Sequence, residues 1–283
     1  MSARVPGLEA IEEKGWLAAH RWLFLRRASQ IFFLALFMSG PWLGIWITEG
    51  TLASSLTLDI LPLSDPFILL QGLAAGHLPE LTALVGAVIV LAGYMLVGGR
   101  VYCSWVCPIN PVSDFAHWLG VKLGLPKGWQ PKAGTRIALM LMVLVASLVT
   151  GTVFWELSNP VTLFHRALVF GLFGGLGVVA GIFLFELLVS RRGWCSRLCP
   201  VGAFYGQINR VSLLRVAAEK RELCDDCMDC FEVCPEPQVI RPALKGDGTR
   251  RIEDWACTHC ARCIDVRSKN VFSFSLPSKG DQS

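Results

Sequence analysis

Cys224-Asp-Asp-Cys227-Met-Asp-Cys230-Phe-Glu-Val-Cys234-Pro235 places three cysteines in seven residues and a fourth, followed by proline, four residues later. Small bacterial ferredoxins hold iron–sulfur clusters at this spacing. Three thiolates ligate three irons of one cluster, and the fourth reaches across to the other cluster of a two-cluster fold. A second run, Cys257-Thr-His-Cys260-Ala-Arg-Cys263, begins the same way, but its fourth position is Arg267 and no proline follows. In the crossed arrangement Cys234 completes the cluster of Cys257, Cys260 and Cys263, while the cluster of Cys224, Cys227 and Cys230 loses its fourth thiolate. Three readings follow for that first site: a complete 4Fe-4S cluster, a three-iron form, or a cluster with an outside ligand. Structural zinc fits poorly, because its tetrahedral sites use two widely separated pairs.

Upstream of these runs the composition changes. The 283 residues are 53% hydrophobic and 17% charged, against roughly 25% charged in soluble domains. Disorder is excluded and an ordinary soluble enzyme is disfavoured. The apolar excess lies before Ser190, in four stretches long enough to cross a hydrocarbon core, which takes about 20 residues with a range of about 17 to 25: Ala28 to Thr48, Leu81 to Gly98, Ile137 to Trp155 and Ala167 to Ser190. A fifth, Ile60 to Leu73, is broken by Pro62, Asp65 and Pro66 and reads as an interfacial or re-entrant piece of a loop. Ser39-Gly40-Pro41 predicts a kink in the first span.

Lysine and arginine counts orient the spans. Residues 1–27 hold five (Arg4, Lys14, Arg21, Arg26, Arg27), 49–80 none, 99–136 five, 156–166 one, and everything after Ser190 fifteen. The positive-inside rule then puts both termini in the cytoplasm. The expected architecture is a mostly α integral membrane protein: a cytoplasmic segment (1–27), four transmembrane helices as two parallel hairpins (28–202), and a small α+β ferredoxin-like cytoplasmic domain (203–283). The net charge of +4 reports this topology and not affinity for nucleic acid.

An internal repeat supports the hairpin pairing. Cys103-Ser-Trp-Val-Cys107-Pro108 and Cys195-Ser-Arg-Leu-Cys199-Pro200 share C-x-x-x-C-P at an offset of 92 residues, each after an even-numbered span. On a helix, cysteines at i and i+4 share a face. Cys103, Cys107, Cys195 and Cys199 are therefore candidates for a redox-active thiol pair or a further metal site, with small buried cysteines at a helix contact as the bland alternative. Glu186 is the one carboxylate within a predicted span and a candidate proton acceptor, against simple snorkelling to the surface; His117 is a second candidate, against a solvated bystander. None of the five histidines lies inside a predicted span, so no haem b is expected.

Taken in order, Lys14-Gly-Trp, Ser39-Gly-Pro-Trp, Gly76-His-Leu-Pro, Cys103-Ser-Trp-Val-Cys-Pro, Gly193-Trp-Cys, Cys199-Pro-Val-Gly-Ala, Met228-Asp-Cys-Phe-Glu-Val-Cys-Pro-Glu-Pro and Cys263-Ile-Asp-Val resemble the NapH family from about residue 14 to about residue 275. These are ferredoxin-type membrane components of periplasmic nitrate reductase systems. The resemblance implies a multi-pass protein of the bacterial inner membrane, a quinol-oxidising electron-transfer subunit and not a stand-alone enzyme. It would pass electrons from menaquinol or ubiquinol through two cytoplasmic 4Fe-4S sites toward the periplasmic nitrate reductase. The implied partners are the periplasmic iron–sulfur protein NapG and a multihaem cytochrome. The family's ferredoxin cysteines fall on Cys224, Cys227, Cys230, Cys234, Cys257, Cys260 and Cys263, and the departure is Arg267. The alternative is a maturation or anchoring protein that reduces or inserts a cofactor in a partner oxidoreductase.

Overall fold

The computed structural model describes residues 6–277 apart from 127, 133, 172, 247 and 268, so Arg4, Lys127 and Lys279 among the counted basic residues lie outside the described residues. The chain is mostly helical and divides into two compact units built from interleaved segments. One gathers Met1–Ser29, Tyr94–Trp105 and Gly206–Ser283; the other gathers Gln30–Gly93 and Val106–Tyr205.

The second unit holds most of the apolar helix. The first apolar stretch is part of a helix, Arg21–Leu43, which begins seven residues earlier than the expected span. It runs through Pro41 and stops just beyond, where Gly44 takes a positive φ of 71°. Gly40 admits the Trp46 ring, which would lie 2.5 Å from an added Cβ. The other apolar helices are shorter: Leu81–Val97, Thr135–Thr150 and Phe173–Leu188. At 1.5 Å per residue they are about 24–26 Å long, against a hydrocarbon core of about 30 Å. Among the described residues only Arg21–Leu43 is long and apolar enough to cross a membrane by itself.

Two expected boundaries change. The stretch 167–190 is interrupted, because helix Pro160–Phe170 ends at Gly171 in the left-handed conformation before Phe173–Leu188 begins. The third span ends at Gly151, also left-handed, and not at Trp155. The region between the first two apolar helices is an antiparallel meander, Thr48–Gly50, Ser54–Thr57 and Leu61–Ser64, followed by helix Pro66–Ala74. Asp65 caps that helix by accepting from Phe67 N at 2.9 Å, with Pro66 at the first position, where a missing N–H costs nothing.

The 92-residue repeat is visible in the backbone. Leu81–Val97 and Phe173–Leu188 each lead through a turn into one π-helical turn, Tyr102–Val106 or Trp194–Leu198, then a Cys-Pro step and another helix, Ile109–Lys122 or Pro200–Asn209. Single π turns occur frequently at functional sites, and both cysteine motifs are built on one.

The first unit is α+β. Arg215–Ala217 pairs antiparallel with Ser273–Ser275, and short helices carry the cysteine runs around a core that includes Val216, Ile240, Phe272, Cys230, Cys257 and Cys263. The N-terminal segment is stitched into it. Gly7 N donates to Asp229 (2.9 Å), Lys14 Nζ donates to Arg267 O (2.5 Å) and Asn270 (2.6 Å), and Trp22 N and Leu23 N donate to the two oxygens of Asp265 (3.1 and 3.0 Å). Asp265, 243 residues away from Trp22 in sequence, thus satisfies the otherwise orphaned donors at the start of helix Arg21–Leu43.

Candidate iron–sulfur sites

The two cysteine loops have one backbone. In the first, Asp226 and Met228 have φ of 59° and 66°; in the second, His259 and Ala261 have 51° and 58°. These are the same positions counted from Cys224 and Cys257, so each loop alternates cysteine with a left-handed residue. None is glycine, and holding a non-glycine residue there costs about 1–3 kcal/mol. Such alternation turns successive N–H groups inward to form a concavity for an anion, as at many iron–sulfur sites. Each loop then enters a short helix, Asp229–Val233 or Arg262–Asp265.

Around the second loop the expected set assembles. Cys234, Cys257, Cys260 and Cys263 line one cavity, floored by Val216, Ile240 and Ile252. The fourth cysteine of this cavity, Cys234, comes from the first run. Burial pushes the Cys257 thiol up to about 12 and Cys263 well above the ordinary thiol value. Cys260 moves the other way: burial is outweighed by Arg262 and Arg26, which lower its pKa. Deprotonated sulfur here needs compensating positive charge, which the iron of a cluster held by these cysteines would supply.

At the first loop the fourth corner is an arginine. Arg267 is only 3% exposed, and its Nη1 lies 2.6 Å from Cys227 Sγ and 2.8 Å from Asp225 Oδ1. Nη2 is buried without a hydrogen-bond partner among the described residues. Against the upward push of its own desolvation, the Cys227 N–H and the Arg267 guanidinium hold the Asp225 carboxyl down at about 2. Burial pushes Cys230 up to about 11 despite the same arginine. The residues fit an anionic cluster at both loops: inward-turned amides, soft thiolates and buried guanidinium groups. They supply four thiolates at one site and three at the other. When bound, such clusters carry single electrons.

The C-x-x-x-C-P cysteines occupy different surroundings. Cys103 is hydrogen-bonded by Arg100. Cys107 packs against Ile109, Val161, Val179 and Ile182, a cluster also bordered by Trp194. Glu186 is fully buried, and its Oε1 accepts from Trp194 N (3.1 Å) and Cys195 N (3.3 Å), so it caps the π turn of the second motif. Cys195 and Cys199 are half-buried on that turn and just after it, and His117 is half-buried on helix Ile109–Lys122. No cysteine forms a disulfide. Among the described residues no three His, Cys, Asp or Glu side chains gather as ligands of a single ion. Asp225, Glu236 and Asp265 lie within the quoted motifs and Arg100 just before one, but cysteine spacing alone did not single out these neighbours of the loops.

A fold of this kind, with thiolates set in inward-turned loops, defines a ferredoxin-type iron–sulfur electron-transport protein. A 4Fe-4S binding domain family matches residues 80–126 and 170–220, the two copies of the repeat, and a 4Fe-4S dicluster domain family matches residues 215–266. The chain is 47% identical to the ferredoxin-type protein NapH of Escherichia coli K12, over 96% of this chain and 95% of the relative. It is 52% identical to the methylamine utilization ferredoxin-type protein MauN of Paracoccus denitrificans, over 94% of each, and 49% identical to MauN of Methylorubrum extorquens, over 95% and 93%. No solved structure matches it. The chain belongs to the NapH and MauN family of ferredoxin-type proteins.

Proposed function

We propose that this protein is the membrane quinol dehydrogenase component of a respiratory chain, taking electrons from quinol and passing them singly through its iron–sulfur sites to a NapG-type partner and on toward a periplasmic nitrate reductase. The observation that carries the reading is the cavity lined by Cys234, Cys257, Cys260 and Cys263, beside a second loop of identical backbone. A membrane setting is supported by large apolar side chains on the surface of the second unit, among them Phe32 (61% exposed), Leu81 (75%), Val149 (79%) and Phe173 (84%). An apolar surface on that scale marks a lipid or protein contact.

In this reading the helices beginning at Arg21, Leu81, Thr135 and Phe173 are four spans, with both termini and both clusters cytoplasmic. Quinol binds near the paired motifs. Two electrons leave one at a time, and the two protons need an acceptor. Glu186, beside Cys195, is the proposed group. The chain's own residues position the thiolates, exclude water from the second site and supply the buried positive charge.

A second reading is favoured by the MauN relatives, the same module serving methylamine utilization as electron carrier; the alternative is a protein that matures or anchors a partner oxidoreductase. Anaerobically purified protein decides between turnover and maturation. Clusters seen by EPR and reduced by quinol within the turnover time support the dehydrogenase. Intact clusters that dithionite reduces and quinol does not would leave the maturation reading.

A further inference from the structure

We propose that Arg100 is a positioning residue that raises the reduction potential of the site made by Cys234, Cys257, Cys260 and Cys263 and ties it to Cys103, a role that its repeat mate Arg192 lacks. The inference rests on the cluster reading above. Arg100 is 1% exposed. Its Nη1 donates to Ala256 O at 2.5 Å and to Glu236 Oε1 at 3.3 Å. Ala256 precedes Cys257, and Glu236 lies two residues after Cys234, so one guanidinium holds both chain segments that make up the crossed ligand set. The same side chain is hydrogen-bonded to Cys103.

The neighbouring residues repeat the pattern. Ser104 Oγ donates to Thr258 O, and Trp105 Nε1 donates to His259 O at 3.1 Å. Gly98, with φ of 116°, lies under the His259 ring, which an added Cβ would approach to 3.0 Å. His259 Nε2 is in turn 3.0 Å from Leu214 O. Residues 98–105 are thus clamped along the Cys257–Cys260 loop.

Arg192 occupies the corresponding place 92 residues on, and it pairs with Asp114 at 3.8 Å, on the helix after the first motif. The second π turn is instead anchored by Glu186 and by Arg136, which donates to Ser196 O at 3.0 Å. Two copies of one motif therefore have different connections. The first abuts a cluster loop; the second is held by residues of its own unit.

One electron added at the crossed site increases its negative charge by one. In a poorly screened interior a fixed cation lowers the energy of that state, and a fixed anion raises it. Arg100 and Glu236 must therefore act with opposite sign.

An EPR-monitored redox titration of the full-length protein tests this, the relevant wave being assigned by its absence in Cys260→Ser. Arg100→Gln is expected to lower that midpoint potential, Glu236→Gln to raise it, and Arg100→Lys and Arg192→Gln to leave it near the parent value, with the first cluster unmoved in all four. Shifts of the same sign in Arg100→Gln and Glu236→Gln, or equal shifts in Arg100→Gln and Arg192→Gln, overturn the proposal. If Arg100→Gln sheds iron, Glu236→Gln decides: an unmoved or lowered potential overturns it. A parent protein without any iron–sulfur signal defeats the cluster reading itself, whereas intact clusters with unmoved potentials defeat only this inference.

Discussion

The loops Cys224–Cys230 and Cys257–Cys263 share spacing, left-handed positions and the short helix that follows, and they differ in what closes the fourth corner. One is closed by Cys234 inside an apolar cavity. The other is met by Arg267, paired to the partly exposed Asp225. The backbone that presents three cysteines is local and recurs whether the fourth corner holds Cys234 or Arg267. Whether a fourth thiolate is present is decided by a position contributed from the opposite half.

The largest expected effect breaks the better-built half. Cys260→Ser removes a ligand whose neighbours Cys257 and Cys263 are core residues, so loss of about half the bound iron and a clearly lowered unfolding temperature are expected, since metal binding and folding are coupled. Iron analysis and calorimetry check it; an unchanged iron content would refute the assignment. Next, Arg267→Cys makes the two halves alike. Iron and acid-labile sulfide per chain should rise, and the EPR signature of the first site should become that of a four-thiolate cluster. No change would contradict the crossed ligation.

A smaller effect is expected at the contact that only the second loop has. Gly98→Ala places a Cβ against His259 in a backbone region that alanine avoids, and about 1–3 kcal/mol of destabilisation follows, measurable by thermal unfolding. Asp265→Ala removes the acceptor for Trp22 N and Leu23 N. A lost cap costs about 1 kcal/mol, read as faster proteolysis of the N-terminal segment. Equal protease sensitivity in parent and variant would show that the N-terminal segment does not depend on the second loop. The smallest change is Glu186→Gln, which keeps an acceptor for Trp194 N and Cys195 N. Stability should hold while the pH profile of quinol oxidation shifts; an unaltered profile would remove Glu186 from proton transfer.

Much of this was legible in the chain. The cysteine loops are local, so C-x-x-C-x-x-C reports them directly, and counting along the second run picks out Arg267, which the structure places beside Cys227. The 92-residue repeat was equally readable, because matched helix, turn and Cys-Pro step recur in order. The meander at Thr48–Ser64 was missed: its strands are three or four residues long, too short for alternation to show. The break at Gly171 was hidden because residues 167–170 and 173–182, on its two sides, are all uncharged.

Cysteine spacing and hydropathy were properties of the sequence alone, since each depends on neighbours within a few turns of chain, and the 92-residue repeat was readable because it matches the chain to itself. Tertiary structure decided which distant groups meet: Arg100 with Glu236 and Ala256, Arg267 with Asp225, and Asp265 with the start of helix Arg21–Leu43. Those pairs lie 42 to 243 residues apart, and no periodicity links them. What selects them is burial: a guanidinium or carboxylate taken out of water must find a partner, and only the packed fold determines which one is within reach.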